Sequence, residues 1–132
     1  MKYEGRRTKF AGRVVHGRGI GTNLGYPTAN ILPEEAAVLD PGVYAVILQY
    51  DRQQYHGVLV VGAIPDVLPP SLEVHIFDFS GDLYRQELSV EVIEQVSELE
   101  RFDAEEELLV KIESDIAKVR ECFARQNPML SS

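Results

Sequence analysis

The sequence predicts a mainly β fold, in which antiparallel strands form a barrel that is followed by one C-terminal α-helix. Short runs rich in β-branched and aromatic residues recur along most of the chain, with turn-type residues between them. These connections are too short for the crossover that a parallel return needs, so antiparallel pairing is expected. Short strands in regular succession without helices between them are typical of a sandwich or a barrel. The last part of the chain differs, because its apolar residues recur with the period of an α-helix.

Five segments have the character of β-strands, and each is bounded by turn signals. The expected turns or loops between them are Asp51–Gln54, Pro69–Pro70 and Ser80–Asp82. The predicted strands are Lys9–Val15, Val43–Gln49, Tyr55–Val61, Leu72–Phe77 and Leu88–Val96.

The C-terminal helix is predicted over about residues 104–125, after a barrel over about residues 8–97, and the whole chain, 1–132, is expected to form one domain. Asp103 is a favourable N-cap, and Glu106 three residues later completes a capping box. Acidic residues crowd the first turns and basic residues the last, which suits the helix dipole. One apolar stripe is expected to dock on the barrel, formed by Leu108, Ile112, Ile116, Val119 and Phe123.

The charge of the chain is negative overall but unevenly spread. The net charge is −8, which argues against nucleic acid as the main partner. Residues 1–30 carry six Lys and Arg against one acid, a local charge of +5, which leaves −13 for the rest. The basic end is also the glycine-rich end, and a small phosphorylated ligand suits it. On charge alone, a basic arm that only aids solubility is about as good an interpretation as a phosphate-binding site.

Other features indicate a cytoplasmic protein that needs no membrane. No apolar run is long enough to span a bilayer, and the first residues have no apolar core of a signal peptide. Cys122 is the single cysteine, so no internal disulfide can form, and the surrounding sequence has no arrangement that would activate a thiol. We expect Cys122 to be a small apolar residue on a helix flank.

The stretch GRGIGTNLGYPTAN, residues 17–30, is the most unusual part of the sequence. Two familiar phosphate loops do not fit it. A Walker A loop needs a Gly-Lys pair, which the chain lacks. A dinucleotide-binding loop would need a third glycine at Thr22 and a helix after it, which Pro27 opposes. Its glycines are Gly17, Gly19, Gly21 and Gly25.

The stretch still has the chemistry of an anion site. Glycines let backbone N–H groups approach a phosphate closely. Pro27 favours an extended path, and in an extended segment Thr28 and Asn30 project from the same face. Their neutral oxygen atoms are hard ligands that suit Mg²⁺. The alternative is an ordinary glycine-rich turn followed by a strand, and on the residues alone the two interpretations are evenly balanced.

A family resemblance favours the first interpretation. The segments Gly12–Gly17 and Gly21–Asn30 closely resemble the opening of the riboflavin kinase (flavokinase) family, which includes the kinase module of bifunctional bacterial FAD synthetases. The resemblance covers roughly Phe10 to Phe123, and L-G-Y-P-T-A-N is its most specific run. It continues through Pro41–Tyr44, Gly62–Pro65, Leu72–Phe79, Gly81–Tyr84 and Phe102–Asp115.

The resemblance implies a six-stranded Greek-key barrel with a C-terminal helix, and transfer of the ATP γ-phosphate to the 5′-hydroxyl of riboflavin. Thr28 and Asn30 match the residues that hold Mg²⁺, or another divalent ion, and the phosphates. The glycines of the stretch would contact the nucleotide phosphates, and Glu73 matches the catalytic glutamate. The three histidines form no H-x-G-H signature of an adenylyltransferase, so the reaction should stop at FMN. The expected partners are ATP and riboflavin, bound by a monomer.

Glu73 is also a sensible base on sequence grounds. Leu72, Val74 and Ile76 form one face of their strand, while Glu73 and His75 share the other. Phosphoryl transfer to a hydroxyl needs a carboxylate within reach of its proton. A solvated glutamate on the barrel exterior is the competing interpretation. For His75 we expect a structural or pocket-lining role.

Several positions depart from the family pattern, and they leave a second hypothesis open. Arg or Lys is usual where Thr22 stands, and Ser97 falls near a family arginine. Arg85 replaces a glycine. Lost cations would favour a flavin- or nucleotide-binding module with weak or no kinase activity, because cations clamp a transferring phosphoryl group. The remaining departures are Val60 and Val61 in place of Asn-Ile, and Asp66 in place of threonine.

Overall fold

The computed structural model describes residues 8–15, 25–35, 39–64 and 69–126. Within them the chain forms six strands and one helix. The fold is therefore mainly β with a C-terminal helix, as the sequence predicts. The elements are β1 (Lys9–Val15), β2 (Ala29–Pro33), β3 (Gly42–Tyr50), β4 (Gln53–Val61), β5 (Leu72–Ile76), β6 (Glu87–Ser97) and α1 (Glu105–Gln126).

The strands close into a barrel in the order β1-β2-β5-β4-β3-β6, and every neighbouring pair is antiparallel. Strands β3, β4 and β5 follow one another directly, and β6 then returns to lie beside β3. This is the order of a Greek key. The predicted six-stranded Greek-key barrel is thus confirmed.

Alternation along the strands gives the barrel two apolar clusters. The inner cluster fills the barrel and includes Tyr44, Leu59 and Val74, each at most 1% exposed. The outer cluster lies between the outside of β3, β4 and β6 and the helix α1. Its buried members are Val43, Ala45, Val58, Phe77, Ile93, Val119 and Cys122.

The helix α1 docks on the outside of the barrel through its C-terminal half. Val119 is fully buried, whereas Ile112, nearer the start of the helix, is only partly buried. The ring of Phe123 stacks on His56 of β4, with ring centroids 3.7 Å apart. The guanidinium of Arg120 lies 4.1 Å from the centroid of the Phe77 ring. In the residues described, no helix is long and apolar enough to cross a membrane.

Local differences from the predicted elements have simple causes. Strand β2 is absent from the five predicted runs, because it is short and contains Asn and Pro, which are unfavourable in strands. The turn between β3 and β4 is shorter than predicted. Asp51 and Arg52 alone form it, with φ of 51° and 66°, so both are in the left-handed region that a two-residue hairpin turn requires. Strand β5 ends at Ile76, one residue before its predicted end.

Candidate active site

Four polar side chains from β2 and β5, and from the residues just before β2, form one group on the outside of the barrel. Ala29 and Ile31 of β2 and Leu72, Val74 and Ile76 of β5 belong to the inner cluster or pack against it. Residues between them therefore face outward. The register pairs Asn30 with Glu73. The group consists of Thr28, Asn30, Glu73 and His75.

Glu73 is buried although it faces outward. Its exposed fraction is 3%, and the hydroxyl of Thr28 donates to its Oε1 atom over 3.4 Å. The expectation of a solvated surface glutamate therefore does not hold. The structure brings together the three side chains that the sequence selected, Thr28, Asn30 and Glu73, although β2 and β5 are far apart in the chain.

The Oδ1 atom of Asn30 has an unusual environment. It is buried, and no hydrogen-bond donor among the described residues contacts it. A buried amide oxygen without a partner costs about 1–3 kcal/mol, and a water molecule or an ion at this atom would offset that cost. The described residues contain no group of three or more His, Cys, Asp or Glu that could hold a metal. A cation at Asn30 would thus have few protein ligands.

Gly25 is the one glycine of the four predicted phosphate-binding glycines that lies in the described part of the chain. Its φ of 94° is in the left-handed region, and a Cβ atom at this position would meet nothing within 4 Å. The backbone conformation, and not lack of space, therefore requires glycine here. Gly17, Gly19 and Gly21, like Thr22 and Asp66, lie outside the described residues.

Two cavities border this group of polar side chains at Thr28 and His75. The larger one has a volume of about 620 Å³ and lies between Pro27–Ala29, the end of β1 and the segment Phe79–Tyr84. The smaller one has a volume of about 70 Å³ and lies between the barrel and α1. Thr28 and His75 line both cavities. The apolar residues of the smaller cavity are Val43, Val58, Val60, Ile112 and Ile116.

Tyr26 connects the start of the site to the helix. It lines the smaller cavity, and its hydroxyl donates to Oε2 of Glu113 over 3.2 Å. Desolvation and the neighbouring Glu113 carboxylate raise the pKa of Tyr26 above its ordinary value. Sequence reasoning missed this contact, although Tyr26 lies within the L-G-Y-P-T-A-N run.

A second polar cluster borders the smaller cavity through Asp115. The Nζ atom of Lys111 lies 2.7 Å from Oδ2 of the buried Asp115 and donates to the Ser97 hydroxyl over 2.7 Å. The Ser97 hydroxyl donates to Asp115 over 2.7 Å. The ammonium group of Lys111 therefore lies beside Ser97, near the position where the family resemblance leads one to expect an arginine. The spacing of Lys111 and Asp115 by one helical turn was the available sequence signal.

Arg85, which the family resemblance places where a glycine is expected, has a backbone conformation that suits glycine. Its φ is 70°, so it has the left-handed conformation that glycine adopts most easily. Its N–H donates to the carbonyl of Val14, and its guanidinium lies 5.1 Å from the centroid of the Tyr84 ring. These contacts offset a conformational cost of roughly 1–2 kcal/mol.

Comparisons with known proteins relate the chain to one family. Residues 4–123 match the flavokinase family model, described as riboflavin kinase. A bifunctional riboflavin kinase/FMN adenylyltransferase from Pseudomonas fluorescens is 40% identical over 119 residues, which are 88% of this chain and 38% of that protein. The chain thus spans about two fifths of the length of this relative.

Two solved structures have the same fold. A Streptococcus pneumoniae protein described as a macrolide-efflux protein is 31% identical, with a TM-score of 0.78 over 88% of this chain and 39% of that one. A riboflavin kinase from Trypanosoma brucei has a TM-score of 0.63 and 21% identity, and it covers 98% of this chain and 86% of its own. The latter similarity shows the fold alone. The family match over residues 4–123, which is most of the chain, shows that this chain belongs to the riboflavin kinase family.

Proposed function

We propose that this domain transfers the γ-phosphate of ATP to the 5′-hydroxyl of riboflavin and releases FMN and ADP. The observation that carries the proposal is the buried carboxylate of Glu73, which contacts Thr28 and is paired in register with Asn30, because Thr28 lines both cavities. Membership of the riboflavin kinase family supplies the reaction. The described residues of the site suit each part of this reaction.

The two cavities suit two different substrates. The larger cavity has the volume of a usual ligand pocket and would hold the nucleotide. The smaller cavity has apolar walls that suit the face of the flavin ring. Its volume of about 70 Å³ holds only about two water molecules, so the cavity would have to widen to admit the flavin ring. The movement that we propose is separation of Tyr26, which lines the cavity, from Glu113. The hydroxyl that reacts and the γ-phosphate would then meet near Thr28.

Glu73 would act as the general base. Its carboxylate accepts the proton of the riboflavin 5′-hydroxyl while that oxygen forms a bond to the γ-phosphorus. The bond between this phosphorus and the oxygen that bridges the β- and γ-phosphates breaks, and ADP leaves with that oxygen. A buried position suits this role, because little water competes for the carboxylate.

The residues present fit a divalent cation, and we propose Mg²⁺. Asn30 and Thr28 would hold it through neutral oxygen atoms, and the Oδ1 atom of Asn30, which has no hydrogen-bond partner among the described residues, is the observation that supports this assignment. When bound, Mg²⁺ neutralises negative charge on the phosphates. Gly25, and the glycines before it, would contribute backbone N–H groups to the phosphates.

We also propose that the chain, residues 1–132, acts as one monomeric domain in the cytoplasm, where ATP is available. Burial of the single cysteine is consistent with a reducing compartment. Size-exclusion chromatography with light scattering checks the monomer, and an elution mass of two chains would contradict it.

The direct test is synthesis of FMN by the purified domain. Incubation with riboflavin, ATP and MgCl₂ should yield FMN and ADP in equal amounts, which liquid chromatography separates and quantifies. EDTA should abolish the reaction, and excess MgCl₂ should restore it. Binding of riboflavin without any FMN would reject the kinase and support a flavin-binding module.

A further inference from the structure

His75 occupies a position that the proposed reaction does not yet use. It lies on β5, two residues after Glu73, and lines both cavities. Any change in its position therefore affects the place where the two proposed substrates meet.

The imidazole of His75 holds the backbone just before Thr28. Its Nδ1 atom lies 2.8 Å from the carbonyl oxygen of Pro27. A carbonyl oxygen only accepts, so Nδ1 carries the hydrogen in this contact. The ladder between β2 and β5 begins at Ala29, opposite Val74, so Pro27 lies beyond it. The side chain of His75 thus continues the attachment of this segment to β5 where the backbone ladder stops.

The ring of His75 is itself held by two aromatic side chains. Tyr26 meets it edge to face, with centroids 5.6 Å apart and planes at 86°. Phe77 lies 5.8 Å away at 68°. These contacts restrict the ring, so the bond to Pro27 fixes the orientation of the following peptide. That peptide leads to Thr28, whose hydroxyl contacts Glu73.

We propose that His75 is a positioning residue, which fixes the Pro27–Thr28 peptide and thereby places the Thr28 hydroxyl for Mg²⁺-dependent nucleotide binding. This inference rests on the proposed function. It assigns His75 no proton transfer and no contact with the transferred phosphate. Loss of a residue that supports a metal ligand typically lowers affinity or activity about 10–100-fold.

Replacement of His75 by Asn or by Gln distinguishes a positioning role from other roles, because the two amide side chains have similar polarity but differ in length. Asn places an amide N–H on the atom bonded to Cγ, as Nδ1 of histidine does, whereas Gln places it one bond further along. His75→Asn should therefore keep the bond to Pro27, and His75→Gln and His75→Ala should lose it. His56→Asn, on an exposed histidine of β4, is the matched control.

The first measurement is ADP binding by calorimetry, in MgCl₂ and in EDTA, for variants shown to be folded by circular dichroism. His75→Gln and His75→Ala should weaken binding in MgCl₂ by about 10–100-fold, and His75→Asn and His56→Asn should bind like the wild type. If His75→Ala does not fold, the comparison of His75→Asn with His75→Gln decides whether the proposal holds. Equal affinities for Asn and Gln would overturn the proposal, and so would wild-type ADP binding that is independent of Mg²⁺.

The second measurement is FMN synthesis. Turnover should follow the same order, with His75→Asn near the wild type. An inactive His75→Asn with normal ADP binding would mean that the imidazole exchanges a proton, which overturns a positioning role. A wild type that makes no FMN rejects the proposed kinase, and the calorimetric order of the variants still supports or overturns the role of His75.

Discussion

Asn30 on β2 lies directly opposite Glu73 on β5 in the register of the barrel. Side chains of directly opposed residues have Cβ atoms about 4.5–5.5 Å apart, so the amide and the carboxylate are neighbours on the same face. Asn30 is the proposed metal ligand, and its Oδ1 atom has no hydrogen bond among the described residues, whereas Glu73 is the proposed proton acceptor. The pairing of these two strands therefore sets the distance between the residues proposed as metal ligand and as base.

Replacement of Glu73 by Gln should remove the base and keep the shape of the side chain. If the chemical step limits turnover, kcat for FMN formation should fall by about 10²–10⁴-fold. Binding of riboflavin and ADP should change little, because the lost interaction belongs to the transition state. Glu121→Gln, at an exposed position on α1, is the control and should leave kcat unchanged. A Glu73→Gln variant with the wild-type kcat would rule out Glu73 as the base.

Replacement of Asn30 by Leu should stabilise the ligand-free protein and abolish Mg²⁺-dependent binding. The substitution removes a buried oxygen that has no hydrogen-bond partner in the described part of the chain, which is worth about 1–3 kcal/mol, and leucine has a similar branched shape. Urea denaturation in EDTA measures the stability, and ADP titration in MgCl₂ measures the binding. Gln54→Leu, on the exposed part of β4, is the control and should change neither the stability nor the ADP affinity by much. Lower stability of the Asn30→Leu variant would contradict this prediction, because it would show that the Asn30 amide has a hydrogen-bond partner in solution.

Two valines of α1 provide a matched test of helix docking. Val119 is fully buried in the outer cluster, and Val119→Ala should cost about 1–3 kcal/mol through lost burial and a cavity. Val110 is 65% exposed, so Val110→Ala should stay within about ±0.5 kcal/mol. Denaturant unfolding of both variants gives the comparison. Equal costs would mean that the helix does not dock as described.

The environment of Cys122 makes its thiol unreactive. Burial and the neighbouring Glu94 raise the pKa of Cys122 to about 11 from its ordinary value of 9.0. Iodoacetamide should therefore label the native protein at pH 8 far more slowly than the unfolded chain. The unfolded thiol ionises first, so the stability that Cys122 contributes is present below about pH 9 and declines as the pH rises toward about 11. In Cys122→Ala this decline should be smaller, and an identical pH profile would contradict the shifted pKa.

Sequence patterns predicted most of the fold because strand character and helical periodicity are local properties. The five strand runs and the helix stripe follow from residues that are neighbours in the chain. The site is different. The contact of Thr28 with Glu73 depends on the pairing of β2 with β5, which no local pattern encodes, and only the family resemblance connected these residues. The bond from His75 to Pro27 and the cluster of Ser97 with Lys111 and Asp115 depend on tertiary contacts, so the sequence did not reveal them.

Strand β6 pairs with both β1 and β3, and this has a consequence for synthesis of the protein. A nascent chain that has not yet reached Glu87 cannot close the barrel, so the edges of β1 and β3 stay open while the ribosome adds the intervening residues. Open strand edges pair readily with other chains, and barrels with such distant contacts fold in milliseconds to seconds. Premature termination before β6 should therefore yield fragments that aggregate and are degraded, and not partly active domains.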